Sequence, residues 1–179
     1  MHRTTIAVTA IAAGAAWLLW DGIRIFWTDA ANSNCSTPAD IASDAIFAIA
    51  GVLTGLTLLG LSSQAAGPAR MFALVGAAGA AVWGLANGAE HCAFEPLFLL
   101  YAAGGLIFVV STAAFGLIVL VTGALGRWPG VLLIAAATAP MMLSFERGGA
   151  ALGGAMWLVL GVALLVVPAW TGPRLDPAR

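Results

Sequence analysis

Few residues in this chain can do acid–base, ligand or thiol chemistry, and the most varied group of them stands in the stretch 83–96, Trp-Gly-Leu-Ala-Asn-Gly-Ala-Glu-His-Cys-Ala-Phe-Glu-Pro. Asn87, Glu90, His91, Cys92 and Glu95 stand there together with apolar sequence on both sides. An imidazole between carboxylates could hold a divalent ion or relay a proton. His91 has no second histidine near it, and no His-Glu-x-x-His pattern occurs, so a catalytic zinc site is not expected. His2 falls on the other side of the membrane in the topology derived below, which excludes bis-histidine haem within one chain. No Gly-x-Ser-x-Gly, P-loop or dinucleotide fingerprint is present. The sequence therefore predicts no metal, no cofactor and no catalytic residue.

Cys35 and Cys92 are the only cysteines. Both fall in loops on the same, outer side, where an oxidising compartment would permit a Cys35–Cys92 disulfide. Two independent thiols, or a pair of soft-metal ligands, are the alternatives. Thiol redox catalysis is disfavoured, since there is no Cys-x-x-Cys.

What must position these residues is a membrane bundle. The chain is 61% hydrophobic and 8% charged, with a mean hydropathy of +1.00. A soluble domain carries about a quarter charged residues. The expectation is an all-α, polytopic integral membrane protein forming one domain over residues 1–179. Net charge is −1 with the arginines scattered, so nucleic acid is not an expected partner; the lipid bilayer is, and other membrane subunits are possible ones. Lysine is absent while alanine and glycine abound, which reads as bacterial composition. The N-terminal apolar run resembles a secretory signal, but it continues to Trp27 and reads better as a retained first helix.

Hydropathy predicts six spans, at 5–27, 38–61, 70–88, 96–125, 129–145 and 149–170, arranged as three helical hairpins. The fifth is short and carries Pro140, so five spans with a re-entrant fifth segment is the rival topology. With six spans, Arg3, Arg70, Arg127, Arg174 and Arg179 share one side with Asp176, whereas Asp21, Asp29, Asp40, Asp44, Glu90, Glu95 and Glu146 share the other with Arg24 and Arg147. The positive-inside rule then makes both termini cytoplasmic and turns the acidic loops to the periplasmic or extracellular face of a cell membrane. Thr37-Pro38-Ala39-Asp40 predicts a capping box at the start of the second helix.

Helical spacing places polar residues on packing faces. Asp40, Asp44, Phe47, Gly51 and Gly55 form one stripe, Gly14, Trp17, Asp21 and Arg24 another, and Ala80, Trp83, Asn87 and Glu90 a third. Small residues four apart, as in Gly51/Gly55, Gly84/Gly88 and Gly149/Gly153, mark close helix approach within the bundle. A faint repeat relates Trp17, Asp21 and Arg24 to Trp83, Asn87 and Glu90, with Pro140, Ser144 and Arg147 at matching offsets. The tryptophans are attributed to an interfacial belt. The candidate binding site is then Asp21, Arg24, Asp44, Asn87, Glu90 and His91 at the outer end of the bundle, since ionisable groups inside a membrane are costly and mark function.

Three function classes fit. The first is a non-enzymatic accessory or subunit protein with an outward acidic site. A carrier or channel for a cation or small polar solute comes second, weakened because only Thr54, Thr57, Ser111, Thr112 and Thr138 are polar near the midplane. A membrane enzyme working on a lipid-like substrate through outer carboxylates is third, weakened by the lack of a nucleophile.

Overall fold

The apolar segments fold as six α-helices: α1 (Arg3–Phe26), α2 (Pro38–Ser62), α3 (Gly67–Ala93), α4 (Phe98–Thr122), α5 (Arg127–Met142) and α6 (Gly149–Val166). This computed structural model describes residues 1–26, 37–93, 97–142 and 148–166, with backbone alone at 88–93 and 141–142. Five helices, all but α5, are long and apolar enough to cross a membrane.

Local chemistry sets the boundaries. Thr37 Oγ1 accepts the Asp40 backbone N–H at 3.2 Å while the Thr37 N–H donates to Asp40 Oδ2 at 3.2 Å, which completes the expected capping box with Pro38 behind it. Gly123 ends α4 in the left-handed region at φ 68°, where its N–H reaches Val119 O at 2.8 Å. Gly126, at φ 85°, completes the turn into α5.

α3 is longer than hydropathy predicts. It runs to Ala93, so Glu90, His91 and Cys92 belong to its last turn rather than to a loop. A moderately polar last turn lowers mean hydropathy without interrupting the backbone hydrogen bonds of a helix.

Each helix packs against its neighbours in sequence, and α6 returns against α1, so the six close into a ring. The glycines report how closely. A Cβ at Gly14 would lie 2.5 Å from Gly154 O, one at Gly51 2.7 Å from Gly84 Cα, and one at Gly130 2.6 Å from Gly116 O. Glycine is required at these crossings because backbone meets backbone. Gly51 and Gly84 thus pack within the bundle as expected, and Gly153 packs on Pro140.

The same contacts fix direction. Gly14 meets Gly154 while Gly161 meets Ala7 and Ile11, so α1 and α6 are antiparallel. Likewise Gly51 faces Gly84 while Gly55 faces Ala77, making α2 and α3 antiparallel. α5 starts beside Gly116 and Leu120 near the C-terminus of α4, and Pro140 ends beside Gly153 near the N-terminus of α6. A re-entrant segment would return to its starting side, whereas α5 runs from one end of the ring toward the other. Its 16 residues span roughly 24 Å against a hydrocarbon core of about 30 Å.

Inside the ring lie Ile6, Phe47, Leu58, Phe108, Phe115, Leu133, Trp157 and Leu160, all essentially inaccessible. Outside it, Leu19, Leu85, Leu99, Leu106, Val110 and Val121 are exposed, as suits a surface that meets lipid.

Candidate functional site

Two layers are stacked at the end of the ring that carries the 27–36 and 94–96 connections, here called the acidic end. The lower layer is aromatic. Trp17 of α1, Phe47 of α2 and Trp83 of α3 form a triangle with ring centroids 5.0, 5.1 and 5.4 Å apart. Trp20 extends it, 5.0 Å from Phe47, and Phe108 stacks on Trp83 at 5.6 Å. Tyr101 closes the α4 side at 6.2 Å from Trp83. Edge-to-face pairs dominate around Phe47, the arrangement favoured by ring quadrupoles.

These buried rings correct the expectation of an interfacial belt. Trp17, Trp20, Trp83 and Trp157 are all buried in the bundle, and Trp17 Nε1 donates to Thr54 Oγ1 at 3.1 Å. Trp17, Trp83 and Trp157 stand on helix faces that also carry glycine (Gly14, Gly79, and Gly153 with Gly161), so the indole fills space that small residues leave. Trp128, at 77% exposure, fits the belt; Trp27 and Trp170 lie outside the described residues.

The upper layer is polar. One helical turn toward the acidic end from Trp17 is Asp21, from Phe47 are Ser43 and Asp44, and from Trp83 is Asn87; all four are buried. Asn87 Nδ2 donates to Asp44 Oδ1 at 3.4 Å across the α2–α3 seam, which is long for such a bond. Asp21 turns the other way. It accepts a hydrogen bond from the Ala151 backbone amide in the first turn of α6, with Arg24 near enough to act on its charge. A carboxylate there satisfies one orphan N–H and complements the helix dipole from a neighbouring helix. Arg24 lies over the Trp20 ring, with Cζ 5.6 Å from its centroid. Among the described residues, Asp21 Oδ1 and Ser43 Oγ are buried without a hydrogen-bond partner.

Of the predicted site residues, Asp44 and Asn87 meet directly, Asp21 joins their layer from α1, and Arg24 packs on Trp20. The side chains of Glu90, His91 and Cys92 lie outside the described residues, as do Cys35 and all of Asp29, Glu95, Glu146 and Arg147, so the Cys35–Cys92 pairing falls outside them too. Among the described residues no three His, Cys, Asp or Glu side chains gather as metal ligands. Ser43 and the aromatic layer were missed. The signal for Ser43 is its place one turn from Phe47 on the α2 face that also carries Thr54.

Beneath the polar layer, a cavity lies between Trp17, Trp83, Phe108 and Trp157, with Pro140 and Gly154 completing its wall. About 10 Å³ of it is open to the centre of a water molecule, roughly the room for one water. Trp17, Trp83 and Pro140, the three positions matched by the faint repeat, all line it. No family profile, curated protein or solved structure matches this chain. The functional reading therefore rests on the geometry alone.

The Asp44–Asn87 contact predicts a measurable coupling. In a double-mutant cycle of Asp44→Ala and Asn87→Ala read by unfolding in detergent, the pair should couple by about 1 kcal/mol. Additive single effects would mean that the two side chains are held by other groups.

Proposed function

We propose that this chain is a non-enzymatic membrane protein, an accessory component or subunit, whose acidic end holds a polar binding site facing outward. The observation that carries this reading is the aromatic floor. Directly beneath Asp21, Ser43, Asp44 and Asn87 the ring is plugged by Trp17, Phe47, Trp83 and Phe108, leaving room for about one water.

A carrier or channel needs polar groups continuing across the midplane. Here Thr54 binds the Trp17 indole, while Thr57 and Thr138 donate to the Leu53 and Ile134 carbonyls of their own helices. Those hydroxyls are spent on structure. The orientation, with acidic residues outward and both termini cytoplasmic, rests on Arg3, Arg70 and Arg127 standing at the opposite end of the helices from Asp21, Asp40 and Asp44.

The test is flux. Proteoliposomes containing the purified chain should pass potassium, ammonium and protons no faster than empty liposomes. Saturable flux of any of these would replace the accessory reading with the carrier reading. Orientation is read separately in cells, where a cysteine at Ser63 in a cysteine-free background should be shielded from an impermeant thiol reagent; labelling there would reverse it.

A further inference from the structure

We propose that the groove along the outer side of the α2–α3 seam binds one anionic phospholipid of the phosphatidylglycerol type, with an acyl chain lying in the groove and the phosphate on Arg70. The groove lies in the half of the ring away from the acidic layer, so its failure and that of the accessory reading are separate results.

The groove comes from a pattern of side-chain sizes. Val52, Leu56 and Leu59 of α2 and Leu74 of α3 line it, together with Gly55, Ala77, Ala78 and Ala81. At Gly55 the two helices are in backbone contact, since a Cβ there would stand 2.8 Å from Ala77 O. Gly55 and Ala77 are buried, whereas Leu56, Leu59 and Leu74 are exposed. The floor is therefore the seam itself, and the leucines are its rims. Its volume is about 320 Å³, inside the range of ligand clefts, which begins near 300 Å³.

An acyl chain suits this channel better than a helix does. A helix of a second copy, about 10 Å across, would rest on the leucine rims and leave the small-residue floor unfilled. An unfilled gap forfeits dispersion contacts. A methylene chain is thin enough to reach the floor. Val52 to Leu59 and Leu74 to Ala81 each rise about 10 Å, roughly a third of the hydrocarbon core, so the groove takes part of one chain from the nearer leaflet.

Charge complementarity selects the headgroup. Arg70, Leu74, Ala77 and Ala81 follow one another on one face of α3 at steps of four, three and four. The groove thus runs toward Arg70, about 6 Å beyond Leu74 along the axis. Arg70 is exposed in the first turn of α3. It is the only charged residue between Asp44 and Glu90, so the hairpin that forms the groove offers it no acid nearby. Arg3 and Arg127 share this end of the ring, and no acidic side chain does among the described residues. A guanidinium can hold a phosphate through two parallel N–H bonds, and the start of α3 adds the positive end of its dipole. Phosphatidylcholine carries its own cation beside the phosphate and gains less from Arg70; phosphatidylglycerol carries none.

Native mass spectrometry of the full chain released from detergent reads the binding of single lipids. With matched acyl chains, phosphatidylglycerol should bind about fivefold more tightly than phosphatidylcholine, the worth of one arginine at an anionic headgroup. Arg70→Gln should bring that preference to within about twofold of unity, while Arg70→Lys, which keeps the charge, and Arg127→Gln, at the same end but outside the groove, should retain most of it. Ala78→Phe places a ring in the groove and should weaken phosphatidylglycerol by about fivefold or more, whereas Val82→Phe, exposed on the same helix outside the groove, should leave it within about twofold. Glycerol phosphate, which has the phosphate and no chain, should not displace the lipid even in large excess. The proposal is overturned if the two lipids bind the parent equally, if Arg70→Gln keeps the full preference, if glycerol phosphate displaces the lipid, or if Ala78→Phe binds as the parent does. A dimeric parent that Ala78→Phe turns into a monomer overturns it too, and gives the groove to a second copy. Should Ala78→Phe not fold, the Arg70 variants and the glycerol phosphate competition decide.

Discussion

Replacing Gly14 by valine is expected to prevent the ring from closing, with a loss of about 3 kcal/mol or more and little monodisperse protein recovered. A Cβ at Gly14 would stand 2.5 Å from Gly154 O and 2.7 Å from Leu158 N, both backbone atoms of α6. Neither can rotate aside. To admit the side chain α1 and α6 must separate, and the close backbone contact that holds small-residue helices together in lipid is then lost along the seam. Gly22 provides the control on the same helix, since a Cβ there meets nothing within 4 Å among the described residues. Gly22→Ala should be neutral or stabilising by up to about 1 kcal/mol, because alanine is the better helix former. Thermal unfolding of the two variants beside the parent checks both, and equal melting temperatures for Gly14→Val and the parent would refute the seam.

The second large effect is expected at Phe47. Its ring is 1% exposed and touches Trp17, Trp20 and Trp83 at centroid distances of 5.0 to 5.1 Å. Phe47→Ala should cost about 3–5 kcal/mol, in the range of large-to-small core changes. In a bilayer little of this comes from transfer out of water, because lipid is as apolar as the core; the loss is of dispersion and edge-to-face contacts around an unfilled space. Phe47→Leu refills much of that volume and should cost no more than about half as much. Denaturant-induced loss of helicity and of the tryptophan signal would measure both. A loss under about 1 kcal/mol for the alanine variant would show that the surrounding indoles collapse inward and that the aromatic layer is adaptable.

How much of this was legible beforehand depended on the scale of the signal. Span number and helix hairpins follow from hydropathy over some 20 residues at a time, and the Thr37 capping box is a four-residue pattern with one geometric meaning. The stripe carrying Asp44 and the stripe carrying Asn87 were both readable from helical periodicity, and they do meet. Which stripes meet was harder. Asp21 lies on the face of α1 that turns to α6, a helix more than a hundred residues away in sequence, and nothing local in either segment announces that pairing. The tryptophans misled for a physical reason. A tryptophan near a helix end satisfies the interfacial rule and the packing rule equally, and only the neighbouring helix distinguishes them: Trp17 and Trp83 face small residues and each other, whereas Trp128 faces outward. The end of α3 was placed short because hydropathy measures solvent preference, while a helix is propagated by backbone hydrogen bonds that do not depend on polarity.

The closure of α6 onto α1 also has a meaning in time. Every other seam of the ring joins helices adjacent in sequence, and those pairs can form as soon as the second of them enters the membrane. The seam through Gly14 and Gly154 cannot. Until the ribosome has delivered α6, the small-residue face of α1 has no helix to pack on, and the Ala151 amide that donates to the Asp21 carboxylate does not yet exist. α1 is thus made before α2 to α5 yet locked in place only after α6, and a chain interrupted before α6 leaves the Asp21 carboxylate without its Ala151 amide.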